Sequence, residues 1–140
     1  MTTTTDCVFC KIVRKELPSS VVYEDAHTLA IMDVGHVNPG HTLVLVKPHY
    51  AVLTELPEDL AAAAFRTAHR IALALEKAYA PAGMTVLQAN RPAGWQTMPH
   101  FHLHVLPRHE NDGAAITWPA KRPPAEVLQA NAEKVKAALV

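Results

Sequence analysis

His100-Phe101-His102-Leu103-His104-Val105-Leu106 alternates imidazole and apolar side chains one for one. A period of two belongs to an extended strand, so the three histidines share one face and Phe101, Leu103 and Val105 share the other. Neighbours on the same face stand about 7 Å apart, two residues at roughly 3.3 Å rise each. A single histidine is most often a satisfied polar group of the fold. Three on one face of one strand concentrate imidazoles that a purely structural sheet does not need.

The chain on either side of this strand gives the fold class. Ahead of it, Ala89 to Met98 carries Pro92 and Gly94 with few periodic apolar positions and reads as a loop, preceded by a strand pattern over Met84 to Gln88. Pro81 and Gly83 separate that strand from Leu56 to Tyr79, where Leu60, Ala64, Ala68, Ala72, Leu75 and Tyr79 form an apolar stripe. Pro57 suits a first helical position there, and Glu58 and Asp59 suit the positive end of the helix. Thr42 to Val46 is a short apolar β-rich run stopped by Pro48, with a turn at Asn38-Pro39-Gly40 before it. Val21 to Glu24 and Thr28 to Met32 flank Asp25-Ala26-His27 as a hairpin, and Cys7 to Lys15 spaces Val8, Phe9, Ile12 and Val13 as a short helix or turn. Beyond the histidines, the proline-rich 118–124 leads into Ala125 to Leu139, where Val127, Leu128, Val135 and Leu139 recur at roughly helical spacing. About five mainly antiparallel strands with one long helix, a short N-terminal helix and a C-terminal helix make an α+β fold. The expectation is one domain over residues 1–140, with a flexible tail at 1–6 and a C-terminal extension at 118–140.

Composition narrows the function classes. Half of the 140 residues are apolar, enough to bury a core without several disulfides, and 13 basic side chains balance 13 acidic ones. With no global field and no basic stripe, binding to nucleic acid or a membrane surface is not expected. Met1 leads into Thr2 to Thr5 rather than into a basic leader or a long apolar run, so cytoplasmic residence is the expectation. Cys7 and Cys10, spaced C-x-x-C, suggest metal or thiol chemistry in a reducing compartment, although two buried cysteines packing together would explain them as simply. A thiol redox role lacks the βαβ context such motifs usually have.

Two chemistries suit the histidine strand. Three ligands at alternate positions of one short strand converge poorly on a tetrahedral ion about 2 Å away, which argues against a three-histidine catalytic zinc. Phosphate handling fits better. Neutral imidazole is a nucleophile near neutral pH, imidazolium donates hydrogen bonds to phosphoryl oxygens, and a covalent histidine intermediate divides a difficult displacement at phosphorus into two easier ones without an organic cofactor.

The segment His100 to Leu106 resembles the motif of the histidine triad (HIT) family, in which histidines alternate with apolar residues and two apolar residues follow. Cys7-Val8-Phe9-Cys10-Lys11-Ile12-Val13, Val22-Tyr23-Glu24-Asp25, Pro39-Gly40-His41-Thr42-Leu43-Val44 and Lys47-Pro48-His49 resemble the family's N-terminal half in order and spacing, so the likeness spans roughly Cys7 to Arg108. It implies that His102 is the nucleophile that becomes nucleotidylated, that the carbonyl of His100 orients its ring, and that His104 contacts the α-phosphate. Gln96 and Thr97 would hold phosphate oxygens. Asp33 with Val34 would meet the ribose hydroxyls, Phe9 and Ile12 would flank the base, Asn90 would open the phosphate loop, and His41 would line the pocket. Plain core packing would also account for Phe9 and Ile12, and a turn or cap for Asp33.

The chain departs from the family pattern before the triad. Trp95 stands in Gly94-Trp95-Gln96 where a glycine is usual, the loop from Asn90 is one residue shorter, and Pro99 removes an amide donor just ahead of the strand. These changes bear on the path of the loop and on the leaving group it admits.

Bacterial members often carry a structural zinc on a cysteine pair, a histidine and the first triad histidine, and by resemblance those ligands are Cys7, Cys10, His49 and His100. A closed set of two cysteines and two histidines braces structure rather than activating water. The resemblance further implies a homodimer and an enzyme acting on a purine nucleotide. Such an enzyme would cleave nucleoside phosphoramidates, adenylylated amines or dinucleoside polyphosphates. The alternatives are a nucleotidyltransferase or phosphorylase of the same superfamily, whose members usually carry His-Pro-His, and a regulatory nucleotide-binding module with little turnover.

Overall fold

Asp25 closes the first hairpin: its Oδ1 accepts the amides of His27 and Thr28 at 2.8 Å and the Thr28 hydroxyl at 3.1 Å, and the Tyr23 hydroxyl donates to Oδ2. In the computed structural model, which describes residues 6–140, this turn joins β1 (Val21–Glu24) to β2 (Thr28–Met32). The tail expected at residues 1–6 lies, Asp6 excepted, outside the described residues. β3 (Thr42–Val46), β4 (Gly83–Leu87) and β5 (His102–Arg108) complete a five-stranded sheet among the described residues, ordered β1-β2-β3-β5-β4 with every neighbouring pair antiparallel.

Register fixes which side chains share a face. Leu45 lies opposite His102 and Leu43 opposite His104, whereas Val44 lies opposite Leu103. On one side Val44, Val46, Ala30, Phe101, Leu103 and Val105 pack under Ala64, Ala68, Ile71 and Leu75 of the long helix α2 (Glu58–Tyr79). On the other, Leu29, Ile31, Leu43 and Leu45 pack against Cys7, Phe9, Cys10 and Ile12 of α1 (Val8–Val13) and its cap. The α+β class, the long helix and the segregation of histidines from apolar residues on β5 therefore stand as expected. Pro57 caps α2 from outside instead of opening it, and Ala80 ends it in the left-handed conformation at φ +44°.

Three boundaries differ from the sequence reading. β5 begins at His102, not His100, because Pro99 has no amide to donate and the His100 amide turns back to the Met98 carbonyl at 2.8 Å. β5 runs on to Arg108 and β4 starts at Gly83, which pair with each other. Single turns of 3-10 helix stand at Leu53–Glu55, ahead of α2, and at Pro92–Gly94, within the stretch read as a loop. α3 (Ala125–Ala138) forms as expected but buries none of its residues. Among the described residues no helix is long and apolar enough to cross a membrane.

Candidate functional site

The imidazole face of β5 and the segment before it supplies two adjacent sites. In the first, His100 is fully buried and its Nε2 lies 2.7 Å from the Val46 carbonyl, so that nitrogen carries the proton and donates. Nδ1 is left as a lone pair, 3.4 Å from Cys7 Sγ and 3.5 Å from Cys10 Sγ, while His49 Nδ1 stands 3.3 Å from Cys10 Sγ. Burial pushes the His100 ring down to about 4 and the Cys10 thiol up to about 11. The four donor atoms all lie within 4.8 Å of one another. Ligands at 2.3 Å (sulfur) and 2.0–2.1 Å (nitrogen) around a tetrahedral zinc would be separated by about 3.6 Å, so the spacing and the donor chemistry both fit such an ion. The hydrogen bond from His100 Nε2 to a carbonyl is the outer-shell support a ligating imidazole normally has.

The second site is a cavity of about 430 Å³ between α1, the end of β2 and the imidazole face, lined among others by Phe9, Ile12, Asp33, Thr97, His102 and His104. Inside it, His102 Nδ1 is 2.7 Å from the His100 carbonyl, which can only accept, so the proton sits on Nδ1 and Nε2 is bare. Its ring meets the Phe9 ring edge-on at 5.1 Å. His102 keeps only 7% of its surface exposed and lines this cavity. Burial lowers its pKa, although the His100 carbonyl and the Asp33 carboxylate pull the other way. The His104 ring, 5.0 Å away, is pushed down to about 4 by burial and then by its neighbours His102 and His41. A neutral imidazole with a free lone pair, walled from bulk water, is equipped to attack an electrophilic phosphorus.

The other residues singled out from sequence fall into three groups. Phe9, Ile12, Val34 and Thr97 line the cavity, Val34 with its side chain wholly exposed. Asp33 both lines it and serves a turn: Oδ1 accepts the Gly35 amide at 2.8 Å, while Oδ2 lies 3.4 Å from His41 Nε2. His41 stands behind His104, its Nε2 2.9 Å from His104 Nδ1, and is not among the lining residues. Gln96 and Asn90 also lie outside the lining and hold the loop together. Gln96 accepts the Arg91 amide at 2.8 Å and donates to the Ala51 carbonyl at 2.6 Å, and Asn90 Oδ1 accepts the Leu53 amide at 2.7 Å. Trp95 occupies the left-handed region at φ +73°, the backbone a glycine would take without strain. Val8, Ser19, Ser20, Met32 and Met98 also line the cavity. The alternation on β5 gave no signal for them, since they come from α1, its outgoing loop, the end of β2 and the loop before the triad.

The chain matches the family described as HIT domain over residues 14–111. It is 38% identical over 114 residues to the protein named hit of Bacillus subtilis, covering 81% of this chain and 79% of that one. It is 34% identical to the adenosine 5'-monophosphoramidase of Saccharomyces cerevisiae, covering 82% of this chain and 71% of that one. A HIT family protein from Bacillus anthracis superimposes with a TM-score of 0.94 at 36% identity, covering 99% of this chain and all of the other. A zinc-bound histidine triad family protein from Mycobacterium smegmatis does so at 0.76 and 32% identity, covering 98% and 100%. With its family match spanning the histidine strand and its fold shared end to end with solved members, this chain belongs to the HIT domain family.

Proposed function

We propose that the protein is a nucleotide hydrolase that cleaves nucleoside phosphoramidates, adenylylated amines or dinucleoside polyphosphates through a nucleotidyl-His102 intermediate. One observation carries the reading: the buried, neutral His102 has its proton held on Nδ1 by the His100 carbonyl and is reached through a cavity of nucleotide size. The likeness to the adenosine 5'-monophosphoramidase of Saccharomyces cerevisiae supports the same class.

Nε2 of His102 forms a bond to the α-phosphorus as the bond to the leaving amine or phosphate breaks. The electron pair goes to the leaving group, which takes a proton from solvent. Water then attacks phosphorus and gives up a proton to solvent as the P–N bond breaks, its electron pair returning the ring to its neutral form, and a nucleoside monophosphate departs. Phe9 and Ile12 flank the base, and Asp33 with Val34 meets the ribose. Phosphate oxygens meet His104 and the Thr97 hydroxyl, and Gln96, bonded to the Arg91 amide and the Ala51 carbonyl, holds the loop that carries Thr97. Asn90 and His41 support the loop and His104 from behind.

In the same reading Cys7, Cys10, His49 and His100 hold a structural zinc. Bound there, the ion supplies rigidity to the segment whose carbonyl orients the nucleophile. The exposed Phe65 and Leu73 of α2 and Val86 of the edge strand β4 suit a two-fold homodimer. The paired free thiols suit a reducing cytoplasm.

His102→Asn tests the enzyme reading. Turnover of a fluorogenic adenosine phosphoramidate should fall by at least about 1,000-fold while affinity for adenosine monophosphate stays within a few-fold. Screening that substrate beside adenylylated lysine and diadenosine polyphosphates, with peptide mapping of a trapped adduct, identifies class and nucleophile together. Equal activity in the variant would end the assignment.

A further inference from the structure

His41 is buried, and both of its ring nitrogens face defined groups. The Val37 amide donates to Nδ1 at 3.2 Å, so Nδ1 is the acceptor. Burial holds this ring neutral, and a neutral imidazole with Nδ1 accepting carries its proton on Nε2. That Nε2 lies 2.9 Å from His104 Nδ1 and 3.4 Å from Asp33 Oδ2, so the shorter and stronger bond runs to His104. His104 Nδ1 is thereby an acceptor, and the proton of its own neutral ring sits on Nε2, the nitrogen on the far side of the ring from His41. His102 is arranged in the opposite sense, with Nδ1 protonated against the His100 carbonyl.

We propose that His41 is a positioning residue that fixes the tautomer of His104, so that two neighbouring neutral imidazoles present opposite groups to the cavity: a lone pair from His102 and an N–H from His104. The inference rests on the nucleotide-hydrolase reading for its use. The transferring phosphoryl group meets a nucleophile on one ring and a hydrogen-bond donor for its oxygens on the other, and neither ring needs to be charged. Without His41, the Asp33 carboxylate, 4.0 Å from His104 Nδ1, is the polar group left facing that nitrogen, and it can only accept. The His104 proton would then move to Nδ1, and the cavity would face a second lone pair that repels phosphate oxygens. Asp33, His41 and His104 also bring donor atoms within 4.8 Å of one another, as a metal site would. The Val37 amide argues against that use, because it leaves His41 Nε2 offering a proton and not a lone pair.

Two-bond ¹H–¹⁵N spectra of the ring nitrogens in the ¹⁵N-labelled full-length protein at neutral pH, read beside steady-state kinetics, test the proposal. The wild type should show His102 protonated at Nδ1 and His104 at Nε2. In His41→Phe the His104 signal should move to the Nδ1–H form, and kcat for an adenosine phosphoramidate should fall about 10- to 100-fold with KM within about threefold. His41→Gln, whose amide N–H can reach the same acceptor, should recover the wild-type tautomer and most of the lost kcat. The proposal is overturned by a wild-type His104 protonated at Nδ1, by a His41→Phe spectrum unchanged at His104, or by Gln and Phe variants that lose activity equally. A wild type with the expected tautomers but no turnover of any nucleotide would sink the hydrolase reading alone, since the spectra do not depend on it.

Discussion

Gly40 sits at φ +91°, and a Cβ placed there would stand 2.6 Å from Cε2 of Tyr79 and 3.1 Å from Cδ2 of Leu75. The left-handed backbone strains any other residue there and the Tyr79 ring would have to swing aside, so Gly40→Ala should destabilise the fold by about 1–3 kcal/mol, read as a lowered urea midpoint with unchanged slope. The turn itself is legible in Asn38-Pro39-Gly40, but its tightness is not, because the crowding atom belongs to a residue 39 positions away. The same holds for the triad. Alternation places the three imidazoles on one face from sequence alone, whereas the donor that orients His104 is His41, 63 positions earlier, itself set by the Val37 amide. Trp95 shows the converse limit: nothing in an indole announces a residue at φ +73°.

At the scale of elements, hydrophobic pattern carried most of the fold, because α2 buries one stripe while β2 and β3 are short apolar runs buried on both faces. What it missed are boundaries set by single hydrogen bonds, such as the start of β5 at His102 and the two 3-10 turns at Leu53–Glu55 and Pro92–Gly94. α1 has only six residues, too short to stand alone, so it depends on what it docks against. Cys7 accepts the Cys10 amide at its cap, and both thiols face His100 and His49. A zinc in that cluster would join α1, the loop after β3 and the segment leading into β5. Protein purified without chelator should therefore contain about one zinc per chain by elemental analysis, and Cys10→Ser should lose it. Stripping the metal should lower the thermal midpoint by about 10 °C or more, since an ion bound only by the folded state contributes directly to its stability. Metal-free protein with both thiols titrating freely and the same midpoint would remove the zinc.

For the whole molecule, the burial of imidazoles on one face of β5 has a thermodynamic consequence. His104 is held neutral by burial with a pKa of about 4 against an ordinary 6.5, and His41 is lowered for the same reason. Between those values the unfolded chain takes up a proton that the folded chain refuses. The unfolded state thus binds more protons, and stability falls as pH drops from 6.5 toward 4. Below that window the loss continues, because the Arg108 guanidinium, helped by the amides of His109 and Ala114, holds the Asp112 carboxyl below the usual carboxylate range, and protonating it forfeits those bonds. His104 by itself should account for about 2 kcal/mol of lost stability between pH 7 and pH 5. Urea unfolding at the two pH values should show the wild type losing at least that much and His104→Gln losing correspondingly less. If the two proteins fell in parallel, the imidazole face would not be the source of the acid sensitivity, and His104 would be carrying a charge in the folded state that its burial argues against.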